Sequence, residues 1–196
     1  MVDEFPEITI SDLRRRRSAK WTYYPASVLP AFVAEMDFPL ADPVKRSLIE
    51  AIEINDTGYA NPAAGNLAGA FAGFAERHMT WRVDPEQVVA TTDVVGGIVS
   101  LLRQLAKPGD GVIITPPVYH PFFSIVEEVG CEVVEAPMLA GRTLDLEAIE
   151  AGFEAGARIL ILCSPHTPAG SVPARDELER LAELADRFDS WVISDE

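Results

Sequence analysis

The sequence predicts an α/β domain built around a mostly parallel sheet. Short, uniformly apolar runs recur at residues 111–115, 131–135, 158–163 and 191–194, and stretches with apolar residues at helical spacing separate them. Parallel strands covered on both faces read as continuous apolar runs, and each parallel neighbour needs a crossover, usually a helix. The 196 residues, 48% apolar and 24% charged, suffice for one domain with a sizeable core and exclude disorder as the main description.

The first forty residues are irregular. Thr9-Ile10-Ser11-Asp12 is expected to cap a short helix carrying Arg14 to Arg17. Pro25, Pro30 and Pro39 then punctuate an extended arm. From residue 41 the pattern becomes regular, which divides the chain into 1–40 and 41–196. Asp42-Pro43 opens a helix, with Pro in the first turn and Val44, Leu48 and Ile52 on one face, ending before Gly58. A second helix covers 63–79, where Gly65, Gly69 and Gly73 at spacing four are expected to pack closely in a core. Alternation follows: strand 87–92, helix 96–106, a Lys107-Pro108-Gly109-Asp110 turn, strand 111–115 and helix 119–129. Strand 131–135, helix 146–153, strand 158–163, helix 176–188 and strand 191–194 complete it. The last strand looks central and lacks its crossover helix, so the sequence reads as part of a longer protein.

Acidic residues number 31 against 16 basic ones, a formal net charge of −15. That balance argues against general nucleic-acid binding and against docking on an anionic membrane, both of which rest on Lys and Arg. Arg14 to Arg17 therefore read as a solvated face or a structural ion-pair site. Cys131 and Cys163 lie in separate apolar runs and form neither a disulfide framework nor a zinc motif. The acidic N-terminus lacks a signal core, and no apolar run approaches the roughly 20 residues of a membrane span. A reduced, cytoplasmic protein is expected. His120 and His166 have no metal-ligand spacing around them, so no metal site is expected. His78 near a helix end reads as a surface histidine. Ser164 lacks a nucleophile-elbow context, and no dinucleotide glycine fingerprint is present.

In open α/β sheets ligands bind beyond the carboxyl ends of the strands. Four such places carry chemistry. Thr92-Asp93-Val94-Val95-Gly96-Gly97 runs into a helix whose free N–H groups and positive dipole end suit a phosphate. Tyr119 offers a flat ring in Pro117-Val118-Tyr119-His120-Pro121-Phe122. Ser164-Pro165-His166-Thr167-Pro168-Ala169-Gly170 is stiffened by two prolines and offers hydroxyls from Ser164 and Thr167. Asp195 places a carboxylate at a strand end. Together a phosphate seat, a ring and an acid could hold a phosphorylated aromatic cofactor, the acid keeping a pyridine nitrogen protonated.

These residues carry a resemblance. The chain resembles the N-terminal half of a fold-type I pyridoxal-phosphate (PLP) enzyme of the class I/II aminotransferase group, and within it the cystathionine β-lyase-like C–S lyases. The stretches are Lys20-Trp21, LPAFVAEMDF at 29–38, Gly58-Tyr59, Arg77-His78, Val94-Val95, Gly109-Asp110, PVYHPF at 117–122, CSPHTPAG at 163–170 and Ser194-Asp195-Glu196. The resemblance covers nearly the whole chain, in order. It implies an aminotransferase-like large domain over 41–196, incomplete here, preceded by an arm and small-domain segment over 1–40.

The resemblance also implies roles. Val94 and Val95 would give backbone N–H groups to the cofactor phosphate, Tyr119 would stack on the ring, and Asp195 would pair with its nitrogen. Tyr59 would reach the phosphate held by a neighbouring subunit, which implies a homodimer with shared sites. Met36 and Asp37 would lie on the segment covering a small amino-acid substrate. Two positions depart from the family. Thr167 stands where the family usually has Asn facing the ring oxygen, and Asp93 stands where it usually has Gly beside the phosphate. The Schiff-base lysine is none of Lys20, Lys45 and Lys107; in the family it lies beyond the Ser-Asp-Glu strand. The expected activity is C–S β-lysis. Aminotransfer is the alternative within the superfamily, and a non-catalytic fragment that binds a partner is the alternative outside it.

Overall fold

The computed structural model describes residues 8–61 and 65–196. The chain divides into two compact units, Met1–Gly65 and Asn66–Glu196.

In the first unit a capping box starts α1 (Ile10–Leu13): Thr9 Oγ1 accepts from the Asp12 amide, and Asp12 Oδ2 accepts from the Thr9 amide, both at 3.2 Å. The helix stops at Leu13, so Arg14 to Arg17 are not carried on it. One helical turn fixes many dihedrals for few bonds and does not propagate unaided. Arg16 instead donates to the carbonyls of Met36 and Asp37, at 3.2 and 2.6 Å. The next turn, α2 (Ala19–Thr22), carries the buried Lys20. Lys20 Nζ lies 2.7 Å from both Glu35 O and Asp37 Oδ2, and Trp21 Nε1 donates to Asp37 Oδ1 at 2.8 Å. These bonds close the arm on itself. The third helix, α3 (Asp42–Glu53), takes Pro43 in its first turn as expected, and none of its residues is buried.

The second unit begins with α4 (Leu67–Met79); residues 63 and 64 of the expected helix lie outside the described residues. Among the described residues, the nearest neighbours of Gly69 and Gly73 belong to α4 and its N-cap. A Cβ on Gly69 would meet the Asn66 side chain, and one on Gly73 the Arg77 guanidinium, both on the helix's own surface. The expected strand at 87–92 does not form. Asp84 caps a 3₁₀ turn over Pro85–Gln87, and Val89 beyond it is 79% exposed. A strand needs a paired neighbour, and this segment has none among the described residues.

From α5 (Val94–Leu105) onward the alternation is as expected: β1 (Gly111–Ile114), α6 (Pro121–Glu128), β2 (Glu132–Glu135), α7 (Leu146–Glu154), β3 (Ile159–Cys163), α8 (Arg175–Arg187) and β4 (Trp191–Asp195). Lys107 to Asp110 make the expected turn, with Gly109 at φ 89°, a conformation that favours glycine. The four strands are parallel, in the order β2-β1-β3-β4. β4 forms an outer strand of the described sheet.

Residues alternate between the two faces. Val112, Ile114, Ile159 and Ile161 pack with Leu102 of α5 and Phe122 of α6. Ile113, Leu160 and Leu162 pack with Ile149 and Phe153 of α7 and Leu181 of α8. Every residue of β3 is buried, so its run of Ile and Leu faces helices on both sides. Full burial of one such side chain contributes about 1.5–3 kcal/mol. Among the described residues no helix is long and apolar enough to cross a membrane.

Candidate active site

The sheet order reverses between β1 and β3: β1 leads outward to β2, and β3 outward to β4. Loops leaving neighbouring strands in opposite directions open a crevice at the carboxyl edge. Tyr119 lies in the loop after β1, Thr167 in the loop after β3, and Asp195 at the end of β4. Two bonds stitch these strand ends. The Ser164 amide donates to Asp195 O at 2.9 Å, and His166 Nε2 lies 3.2 Å from Thr115 O.

Val94 and Asp195 line one cavity of about 840 Å³, together with Phe71, Met79, Trp81, Ser194 and Glu196. The Asp195 side chain has no hydrogen bond or ion pair among the described residues, and burial raises its carboxyl above the usual range. A cation beside it would relieve that cost. At the start of α5 the backbone N–H groups of Val94 and Val95 have no acceptor among the described residues. Asp93 Oδ1 takes the next one, from Gly96, at 2.7 Å. The carboxylate that would stand against a bound phosphate is thus turned back onto its own helix. Tyr119 packs edge-on to the fully buried Phe122, with centroids 5.7 Å apart and planes at 86°, and is 37% exposed. Thr167 is exposed, and its amide donates to the Cys163 sulfur at 3.4 Å.

The sequence missed three lining residues, Phe71, Met79 and Trp81. Trp81 follows the left-handed Thr80 and folds back on α4 through a bond from its amide to Ala75 O. Its ring stands perpendicular to Phe71. A tryptophan just past a helix end was the only available signal. His166 was set aside as a metal ligand and is instead a buried bridge. Met36, Asp37 and Tyr59 belong to the first unit. Met36 is 77% exposed and Tyr59 wholly so, whereas the Asp37 carboxylate is committed to Lys20 and Trp21. Of the lysines, Lys107 lies before β1, at the edge away from the strand-end loops, Lys45 lies on α3, and Lys20 is held by Asp37.

A parallel sheet covered by helices on both faces, with crossovers diverging at its carboxyl edge, places the chain among α/β proteins of aminotransferase-like fold. The chain belongs to the aminotransferase class I and II family, whose model matches residues 35–196. It is 35% identical to a cystathionine beta-lyase of Corynebacterium glutamicum over 192 residues, covering 98% of this chain and 50% of that one. Cystalysin from Treponema denticola, solved with a pyridoxal 5'-phosphate cofactor, superposes with a TM-score of 0.86 at 27% identity, over 100% of this chain and 52% of that one. A PLP-bound C–S lyase from Staphylococcus hominis gives 0.88 at 25% identity, over 98% and 50%. The chain spans about half the length of the curated relatives it matches.

Proposed function

We propose that the protein to which this chain contributes is a PLP-dependent C–S β-lyase. It would cleave cystathionine or a related cysteine S-conjugate, with water, to a thiol, pyruvate and ammonia. The observation that carries this is the pairing, in one cavity, of the α5 start with an unpartnered Asp195. The names of the relatives support the substrate class.

When bound, the cofactor supplies an electron-withdrawing ring that acidifies the substrate's α-proton. Val94 and Val95 donate their amides to its phosphate, where the helix dipole also favours an anion. Asp195 holds a proton on the ring nitrogen, which offsets the cost of its own burial. Tyr119 would supply a flat ring to stack on the cofactor, and Thr167 a hydroxyl for its ring oxygen. Met36 and Asp37 lie on the arm that covers the substrate, with Asp37 anchoring it. Tyr59 reaches the phosphate held by a second copy, in a homodimer with shared sites. In this reading residues 1–40 are the arm and small-domain segment, and 41–196 contribute to the large domain. The lysine that takes the α-proton lies outside Lys20, Lys45 and Lys107. The compartment is the cytoplasm, consistent with two free, buried thiols.

The test uses the naturally produced protein with PLP. Borohydride reduction followed by intact mass should show one pyridoxyl group, and cystathionine should yield pyruvate and a thiol. Amino-acid-dependent conversion to the pyridoxamine form without thiol release would favour aminotransfer. No specific adduct and no product would sink the enzyme reading.

A further inference from the structure

We infer that His166 is a positioning residue, a latch that ties the loop carrying Thr167 to the end of β1 and so sets the polar rim of the cofactor site. This rests on the function proposed above.

His166 is 2% exposed, between the exposed Pro165 and Thr167. Its partner Thr115, the first residue past β1, is wholly buried. A carbonyl only accepts, so the 3.2 Å contact to Thr115 O places the ring hydrogen on Nε2. Thr115 Oγ1 stands 3.5 Å from the same nitrogen. The backbone of His166 also closes the loop: its amide donates to Ser171 O at 2.7 Å, and its carbonyl accepts from Gly170 at 2.6 Å. Thr167 therefore sits between two fixed points, the His166 ring and the Cys163 sulfur. The bridge joins the loops that follow β1 and β3, neighbouring strands from which the crossovers diverge.

The far nitrogen argues that the ring is there for its bond. His166 Nδ1 is buried and has no partner among the described residues. A leucine or phenylalanine would fill the space without stranding a polar atom. What neither could supply is an N–H reaching across the crevice floor.

The experiment compares full-length wild-type protein with His166→Leu and His166→Gln. PLP affinity is measured by absorbance titration, together with the pH dependence of the bound cofactor's spectrum. The Gln amide can reach the same carbonyl. His166→Leu should bind PLP about 10-fold more weakly and shift the spectral midpoint, while His166→Gln returns to within about 3-fold of wild type, the scale of one hydrogen bond. A Leu variant with wild-type affinity and spectrum, or a Gln variant as defective as Leu, would overturn the latch. If the Leu variant does not fold, the imidazole ¹⁵N shifts of the wild-type protein decide. The Nε2–H tautomer upholds the latch and the Nδ1–H tautomer sinks it. A wild-type protein that binds no PLP overturns the proposed function instead.

Discussion

Asp93 caps α5 with its own side chain: Oδ1 accepts from the Gly96 amide at 2.7 Å, and the Val94 and Val95 amides have no acceptor among the described residues. A helix exposes its first N–H groups to whatever anion is near. Here one is satisfied internally, and two remain for a ligand.

Val94→Pro should weaken PLP binding by about 10-fold without melting α5. Proline is tolerated in the first helical turn, where its missing N–H breaks no helical bond. The residue before a proline must be extended, and Asp93 already is, at φ −163° and ψ 173°. Cofactor titration of the full-length protein, with circular dichroism as the folding control, measures both effects. Unchanged affinity would remove Val94 from the phosphate seat.

Asp195→Asn should abolish productive cofactor binding and lower lyase activity by about 10²-fold or more, the scale of losing one preorganised electrostatic partner. Its effect on the ligand-free protein has the opposite sign. Burial raises the Asp195 carboxyl, so its contribution to stability is present at acid pH and lost as pH rises through the raised value. Asparagine carries no such loss. Thermal melts at neutral pH without PLP should therefore show the variant as stable as wild type or more so.

The arm should withstand acid until Asp37 protonates. The hydrogen bond from Lys20 lowers the Asp37 carboxyl, against an opposing contribution from burial and with help from Trp21. A lowered carboxyl contributes stability above its ordinary value and loses it as pH falls through the depressed one. The indole N–H resonance of Trp21, bonded to Asp37 Oδ1, reports this directly. Its acid midpoint should lie below the usual carboxylate range and move up in Lys20→Met. An unmoved midpoint would mean that Lys20 does not hold the carboxylate.

Gly152→Ala should destabilise the second unit by about 1 kcal/mol. A Cβ there would come within 2.8 Å of Ile113 Cδ1, and Ile113 is fully buried. Overpacking costs about 1–3 kcal/mol, and the helix preference of alanine returns part of it. Chemical denaturation should show a lower midpoint with an unchanged slope. A gain in stability would mean that α7 moves freely against the sheet.

Apolar periodicity made most of the second unit legible. Buried parallel strands leave continuous runs, and amphipathic crossovers leave a helical period; both are local signals. Residues 87–92 misled because a run such as Val88-Val89 shows β preference but not whether a partner strand exists.

Residue identity and order by themselves determined the fold class, the strand-end positions of Tyr119, Thr167 and Asp195, and a helix beginning within two residues of Val94. Those follow from backbone geometry and patterning within a few residues. Tertiary structure alone decided that Asp93 turns back to cap its helix, that Asp37 is held by Lys20, that Trp81 joins Asp195 at one cavity, and that His166 bridges to Thr115. Each of these depends on a distance between atoms remote in the chain or on the rotamer chosen between competing partners. Neither is written in the local sequence pattern; both are set only when each unit packs.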